Sequence, residues 1–260
     1  MRVRVLVKAR IYILVDMYKY ASPKNFYALA GRLIPLLATA TALLLAYGLY
    51  QGLFVAPPDY QQGESVRIIY IHVPSAWMSM FVYVTMAGAA GIGLVWNIKL
   101  ADLLARASAP IGASFTLITL ITGSLWGKPM WGTWWAWDAR LTSELILLFL
   151  YLGFIALQAA IDDPKRAARA GAVLALVGVV NIPVIHFSVQ WWNTLHQPAS
   201  ISSISKLGAP SIHPSMLIPL LIMALAFTLY YLTVALMRMR AEILEREKNS
   251  RWVAELVAAR

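Results

Sequence analysis

Residues 214–237, PSMLIPLLIMALAFTLYYLTVALM, run without a single charged side chain or histidine. A surface helix of a water-soluble protein keeps a polar stripe at the 3.6-residue period. This stretch keeps none, and about 20 such residues in an α-helix cross the ~30 Å hydrocarbon core of a bilayer. Helices close every backbone hydrogen bond within the segment, so a helix is the form such a stretch takes in lipid.

Five more apolar runs precede it, at 33–54, 74–96, 110–126, 141–161 and 168–189. Hydrophobic residues make up 60% of the chain and charged ones 13%, a balance that no soluble surface carries. The sequence therefore predicts an all-α integral membrane protein, a bundle of six transmembrane helices. The net charge of +10 could point to nucleic acid, but its placement points to topology. Eighteen of the 22 Lys and Arg fall on the side of both termini, in the first 32 residues, around the second-to-third and fourth-to-fifth connections, and after residue 237. The other side holds Arg67, Lys128, Arg140 and Lys206. This is the positive-inside pattern and predicts cytoplasmic N- and C-termini. The excess base then serves topology and anionic lipid rather than nucleic acid. The chain has no cysteine, so outside loops use neither disulfides nor thiolate ligands, and metal chemistry falls to His or to an acid.

Three regions follow. Residues 1–32 are a basic segment in which 1–20 read as an interfacial amphipathic helix rather than a signal peptide. Residues 33–237 are one membrane domain without internal repeats or a soluble module. Residues 238–260 are a charged cytoplasmic tail that continues the last helix. Pro74 is expected at the first helical position of the second span, where its missing N–H costs nothing. That places His72 in the outside loop before it.

The extracytoplasmic loop between the third and fourth spans, 126–140, carries the densest signal: Trp126-Gly-Lys-Pro-Met-Trp131-Gly-Thr-Trp134-Trp135-Ala-Trp137-Asp138. A lone tryptophan such as Trp96 or Trp252 reads as an interfacial anchor. Five within twelve residues exceed what anchoring needs. A helix from Trp131 onward would put Trp131, Trp134, Trp135 and Asp138 on one face, with Trp137 off it. Such a face suits a large flat apolar ligand.

All four histidines, His72, His186, His196 and His213, fall at or near the same outer side. His72 and His196 flank the tryptophan segment and are placed to present imidazole to one site, and two neutral imidazoles suit heme iron. His186, near Asn181 and Pro183 inside the fifth span, reads as an internal hydrogen-bonding group. His213, just before Pro214, is either a helix-entry residue or a ligand. Arg67, Lys128 and Arg140 are the cations available to heme propionates, although Arg140 can instead pair with Glu144 at i+4. Asp138 either orients a ligand imidazole or caps the following helix.

The segment from Trp131 to Glu144 resembles the signature of the tryptophan-rich WWD family of heme-handling proteins. The pieces Tyr70-Ile-His72-Val-Pro74-Ser-Ala-Trp77 and His186-Phe-Ser-Val-Gln-Trp191-Trp192-Asn-Thr-Leu-His196-Gln-Pro resemble its CcmC branch, and the likeness extends over roughly residues 22–238. The resemblance implies that His72 and His196 are axial ligands of a non-covalent heme b. It implies too that the loop with Trp126, Trp131, Trp134, Trp135, Trp137 and Asp138 cradles the porphyrin. It further implies an inner-membrane location, a CcmE-type periplasmic heme chaperone as recipient, and CcmA, CcmB and CcmD as partners.

Two other classes compete. A b-type cytochrome subunit for electron transfer would place paired histidines within spans, and only His186 lies in one. A solute transporter would show inverted repeats or a charged midplane site, and neither is found. The sequence has no nucleotide-binding loop and no pairing of nucleophile and base, so an enzyme is not expected, and ATP hydrolysis would belong to a partner.

Overall fold

Serine and proline set the start of the first span. In the computed structural model, which describes residues 22–196 and 212–258, helix α1 covers Pro23–Tyr50. Ser22 caps it by accepting from the amide of Asn25, with Pro23 in the first turn. A π-helical turn, Gln51–Val55, extends it at the outer end. A 3-10 turn, Glu64–Ile68, leads into α2, Ile69–Trp96, which closes at left-handed Asn97 (φ 53°). Then follow α3 (Lys99–Trp131), α4 (Ala139–Ala160), α5 (Pro164–Gly178), α6 (Asn181–Trp191), α7 (Pro214–Arg246) and α8 (Arg251–Ala258).

All six predicted spans are present as helical stretches long and apolar enough to cross a membrane. Their ends differ from the apolar runs, because a helix does not stop where hydrophobicity does. The third span extends from the expected 110–126 to Lys99–Trp131 and carries Asp102 and Arg106 in its inner turns. Pro74 does not begin the second span. It is buried inside α2, because the preceding 3-10 turn starts the helical path ten residues earlier. The fifth span is not one helix either. Pro183 has no N–H for the carbonyl of Val179, which instead accepts from Ile182 at 3.0 Å, and the chain breaks between α5 and α6. Asn181 Nδ2 donates across to the carbonyl of Ser143 on α4 at 2.8 Å. The predicted helical continuation into the tail is found, with α7 running to Arg246. The expected interfacial helix at 1–20, and Lys206, lie outside the described residues.

Helices α2 and α3 form the centre, with α4, α5 and α6 on one side and α7, backed by α1, on the other. Small residues let them approach: Ala89, Ala90, Ala105, Ala109 and Ala113 are buried in the core. Tyr83 and Tyr151 meet edge to face at 5.1 Å. Gly112 lies against the Tyr151 ring and Gly178 against the Tyr83 hydroxyl, where a Cβ would collide. At the inner end Tyr27, Leu103, Met239 and Ile243 join α1, α3 and α7, and Trp252 of α8 packs on Tyr27 at 5.7 Å. Both described ends of the chain therefore sit at one end of the bundle. The 56–63, 132–138 and 192–196 segments sit at the other.

Candidate functional site

His72 lies in the first turn of α2, not in a loop, because α2 starts ahead of Pro74. Its position is fixed from α3. Thr122 Oγ1 is 2.9 Å from His72 Nδ1 and donates its own proton to the carbonyl of Ile118 at 2.6 Å. With that proton spent, the hydroxyl oxygen accepts from Nδ1–H, and the Nε2 lone pair is left bare. Gly123 makes the approach possible, since a Cβ there would stand 3.2 Å from His72 Cε1.

The tryptophan segment is not one helix. Helix α3 ends at Trp131, and Gly132 takes the left-handed conformation (φ 75°) that closes it, its N–H bonding to the carbonyl of Lys128. Trp131, Trp134, Trp135 and Asp138 therefore do not share a helical face as the 0, 3, 4, 7 spacing predicted. They divide into two groups instead. Trp126 and Trp131 meet edge to face at 5.1 Å, and Trp126 Nε1 donates to Gln62 Oε1 of the preceding outer loop at 2.9 Å. Trp135 and Trp137 form a second such pair at 5.4 Å, with Trp137 78% exposed. Trp134 is also exposed, 5.9 Å from Lys128 Nζ. The Trp135 indole N–H is buried without a hydrogen-bond partner among the described residues.

Asp138 fills both roles left open by the sequence. One oxygen caps α4 by accepting from the amide of Leu141 at 2.8 Å, and the other is 3.2 Å from His196 Nδ1. His196 also packs edge-on against Trp131 at 4.9 Å. A carboxylate only accepts, so His196 Nδ1 carries the proton and Nε2 is again bare. Burial and the nearby Arg140 push the His196 pKa down, outweighing the pull of Asp138 in the other direction. The ring is thus held neutral, as ligation requires. His72, His196 and Arg140 lie within electrostatic range of one another.

The three candidate cations have different standing. Arg67 is engaged: Nη1 donates to the carbonyls of Gly52 and Ala56 at 3.1 and 2.9 Å, and Nε pairs with Glu64. Lys128 donates to the carbonyl of Gly132 at 3.1 Å. Arg140 enters no ion pair among the described residues, so of the two roles left open for it the i,i+4 bridge to Glu144 is not formed. Of the other histidines, His213 caps α7 by accepting from the amide of Ser215. His186 is exposed, with its ring on Phe187 at 4.7 Å, so it has no hydrogen bond inside the bundle among the described residues. The internal role expected from its depth is not met, because that stretch of α6 turns it outward. Thr122, Gly123 and Gln62 escaped the sequence reading. A threonine and a glycine inside an apolar run give no signal until the helix facing them is known.

A family model described as CcmC: Heme exporter protein C matches residues 16–254. The heme exporter protein C of Bradyrhizobium diazoefficiens is 58% identical over 237 residues, which is 91% of this chain and 88% of that protein. Its namesake in Escherichia coli K12 is 54% identical over 244 residues, 94% of this chain and 97% of the relative. That of Haemophilus influenzae is 51% identical over 240 residues, covering 92% and 96%.

Proposed function

The chain belongs to the CcmC (heme exporter protein C) family, and from that premise we propose that it binds heme b non-covalently between His72 and His196 at the periplasmic face of the inner membrane and presents it to a CcmE-type chaperone. One observation carries the assignment. Both imidazoles are pinned through Nδ1, by Thr122 and by Asp138, which leaves two bare Nε2 atoms of the kind that ligate heme iron.

The other residues fit the same ligand. Trp131, packed on His196, and Trp126 behind it offer aromatic walls to the porphyrin. Arg140, in no ion pair among the described residues and within range of both imidazoles, is the cation for a propionate, in preference to the engaged Arg67 and Lys128. Exposed Trp134 and Trp137 stand at the outer end, where a soluble acceptor can reach the bound ring. The bias of Lys and Arg toward the opposite end supports a periplasmic site. Heme is cargo here, and the role is delivery rather than catalysis, in company with CcmA, CcmB and CcmD partners. An electron-transfer subunit would need a second imidazole buried between spans, and exposed His186 does not supply one.

The absorption spectrum of the purified protein tests this reading. A spectrum with two nitrogen ligands is expected. His72→Ala and His196→Ala should each change it and lower heme retention, whereas His186→Ala should not. Two single variants that keep the wild-type spectrum would remove both residues from the iron.

A further inference from the structure

The Lys and Arg at the end of the bundle that holds both described termini are nearly all exposed; among the described residues only Arg106 and Arg240 are drawn in. Arg106 has an anion, with Nε 3.2 Å from Glu242 Oε1. Arg240 on α7 has none. It enters no ion pair among the described residues, and its buried Nε has no hydrogen-bond partner among them. The acids that follow it in the chain are committed elsewhere, Glu242 to Arg106, Glu245 to Lys248 and Glu247 to the Trp252 indole. The guanidinium is nevertheless held in place. Its Cζ lies 4.1 Å from the centre of the Tyr27 ring on α1, and Trp252 packs on the same ring. Gly31, one turn further along α1, gives it room, since a Cβ there would stand 3.1 Å from Cζ.

We propose that Arg240 is the fixed contact of a phosphate site in the crevice between α1 and α7, occupied by the headgroup of an anionic phospholipid. A guanidinium drawn in from solvent gives up hydration, and one aromatic face returns only part of that loss. Its planar fork of donors matches the oxygens of a phosphate. With Nε sealed against the protein, the two Nη groups are the ones left to donate. Lys24 lies on the same face of α1 as Tyr27 and Gly31, at positions 0, 3 and 7, and is exposed, so a second cation flanks the crevice. Basic crevices between membrane helices, on the side rich in Lys and Arg, are where anionic headgroups settle. Helix α1 joins the bundle by backing onto α7, so a headgroup seated there ties the outermost span to its neighbour.

The test uses full-length protein in nanodiscs of equal parts phosphatidylglycerol and phosphatidylcholine, with lipid retention read by native mass spectrometry and stability by thermal melting. Wild type should retain phosphatidylglycerol and melt higher than in phosphatidylcholine alone, whose phosphate is neutralised by its own choline. Arg240→Gln should lower phosphatidylglycerol retention about tenfold or more, the worth of a charged hydrogen bond. Arg240→Lys keeps the charge but loses the fork, and should retain several-fold less than wild type. Arg238→Gln removes an exposed charge two residues away and should behave like wild type. Full retention in Arg240→Gln overturns the site, and so does an equal loss in Arg238→Gln, which would mean diffuse attraction to the basic end. If Arg240→Gln is not recovered folded, Arg240→Lys decides, and retention equal to wild type overturns the proposal. Inorganic phosphate added to phosphatidylcholine discs is the arm for a soluble source, and no rise in melting is expected. A rise that matches the phosphatidylglycerol effect and disappears in Arg240→Lys would hand the site to free phosphate and overturn the lipid assignment.

Discussion

At the scale of single residues the two proposed ligands differ in how they are held. His72 is fixed by a helix behind it, through Thr122 and the space left by Gly123. His196 stands at the end of a short helix and its outer segment, and is fixed by Asp138 and Trp131. Asp138 serves two partners, and two substitutions separate them. Asparagine still caps a helix, so Asp138→Asn should keep the stability of α4 while loosening heme. Asp138→Ala should in addition cost about 1 kcal/mol of stability. Thermal melting of the heme-free protein beside heme retention checks both, and equal melting of the two variants would show the cap to be idle. The lowered pKa of His196 has a definite sign. The fold disfavours the protonated ring, so the neutral form contributes fully above the ordinary histidine value of 6.5, and that contribution is lost as pH falls through the depressed value below it. Heme retention should therefore be flat across neutral pH and decline only on the acid side of 6.5. A decline centred above 6.5 would show that His196 is not held neutral.

At the scale of elements the site depends on where helices stop. Gly132 ends α3 immediately after Trp131, which turns Trp134, Trp135 and Trp137 away from the helix axis. The break between α5 and α6 divides the fifth span, and α6 then leads the chain to Trp192 and His196. Close approach at that break depends on Gly178, which lies against the hydroxyl of Tyr83. Gly178→Ala forces a methyl into that contact and should destabilise the bundle by about 1–3 kcal/mol. It should also weaken heme binding indirectly, through displacement of α6. Gly88→Ala, with open space around it, is the control and should melt like wild type. Equal melting of the two variants would mean that the α2–α5 contact yields freely.

At the scale of the whole molecule, six spans bring both described ends to one side and His72, His196, the tryptophans of 126–137 and Arg140 to the other. The lack of any native cysteine makes the orientation directly testable. Tyr60→Cys, at a site 91% exposed beside the heme end, should react with a membrane-impermeant maleimide in intact cells. Asp162→Cys, in the connection between α4 and α5, should react only after lysis. The reverse pattern would invert the protein and abandon a periplasmic hand-over. Six spans, their order and the charge bias were legible from sequence because lipid imposes them residue by residue: an apolar run of sufficient length has one stable form, and Lys and Arg count the same whatever they touch. The candidate histidines and the tryptophan cluster were legible too, since those residue types are scarce and costly where they stand. Only the tertiary structure decided that His72 belongs to a helix and that the loop's tryptophans form two pairs with Trp134 apart from both. It alone decided that Asp138 serves cap and imidazole together, and that Thr122 and Gly123 face the site. Those facts depend on which surface of one helix meets which surface of another. In a chain apolar on nearly every face, hydrophobicity does not choose that surface; close packing and a few hydrogen bonds do.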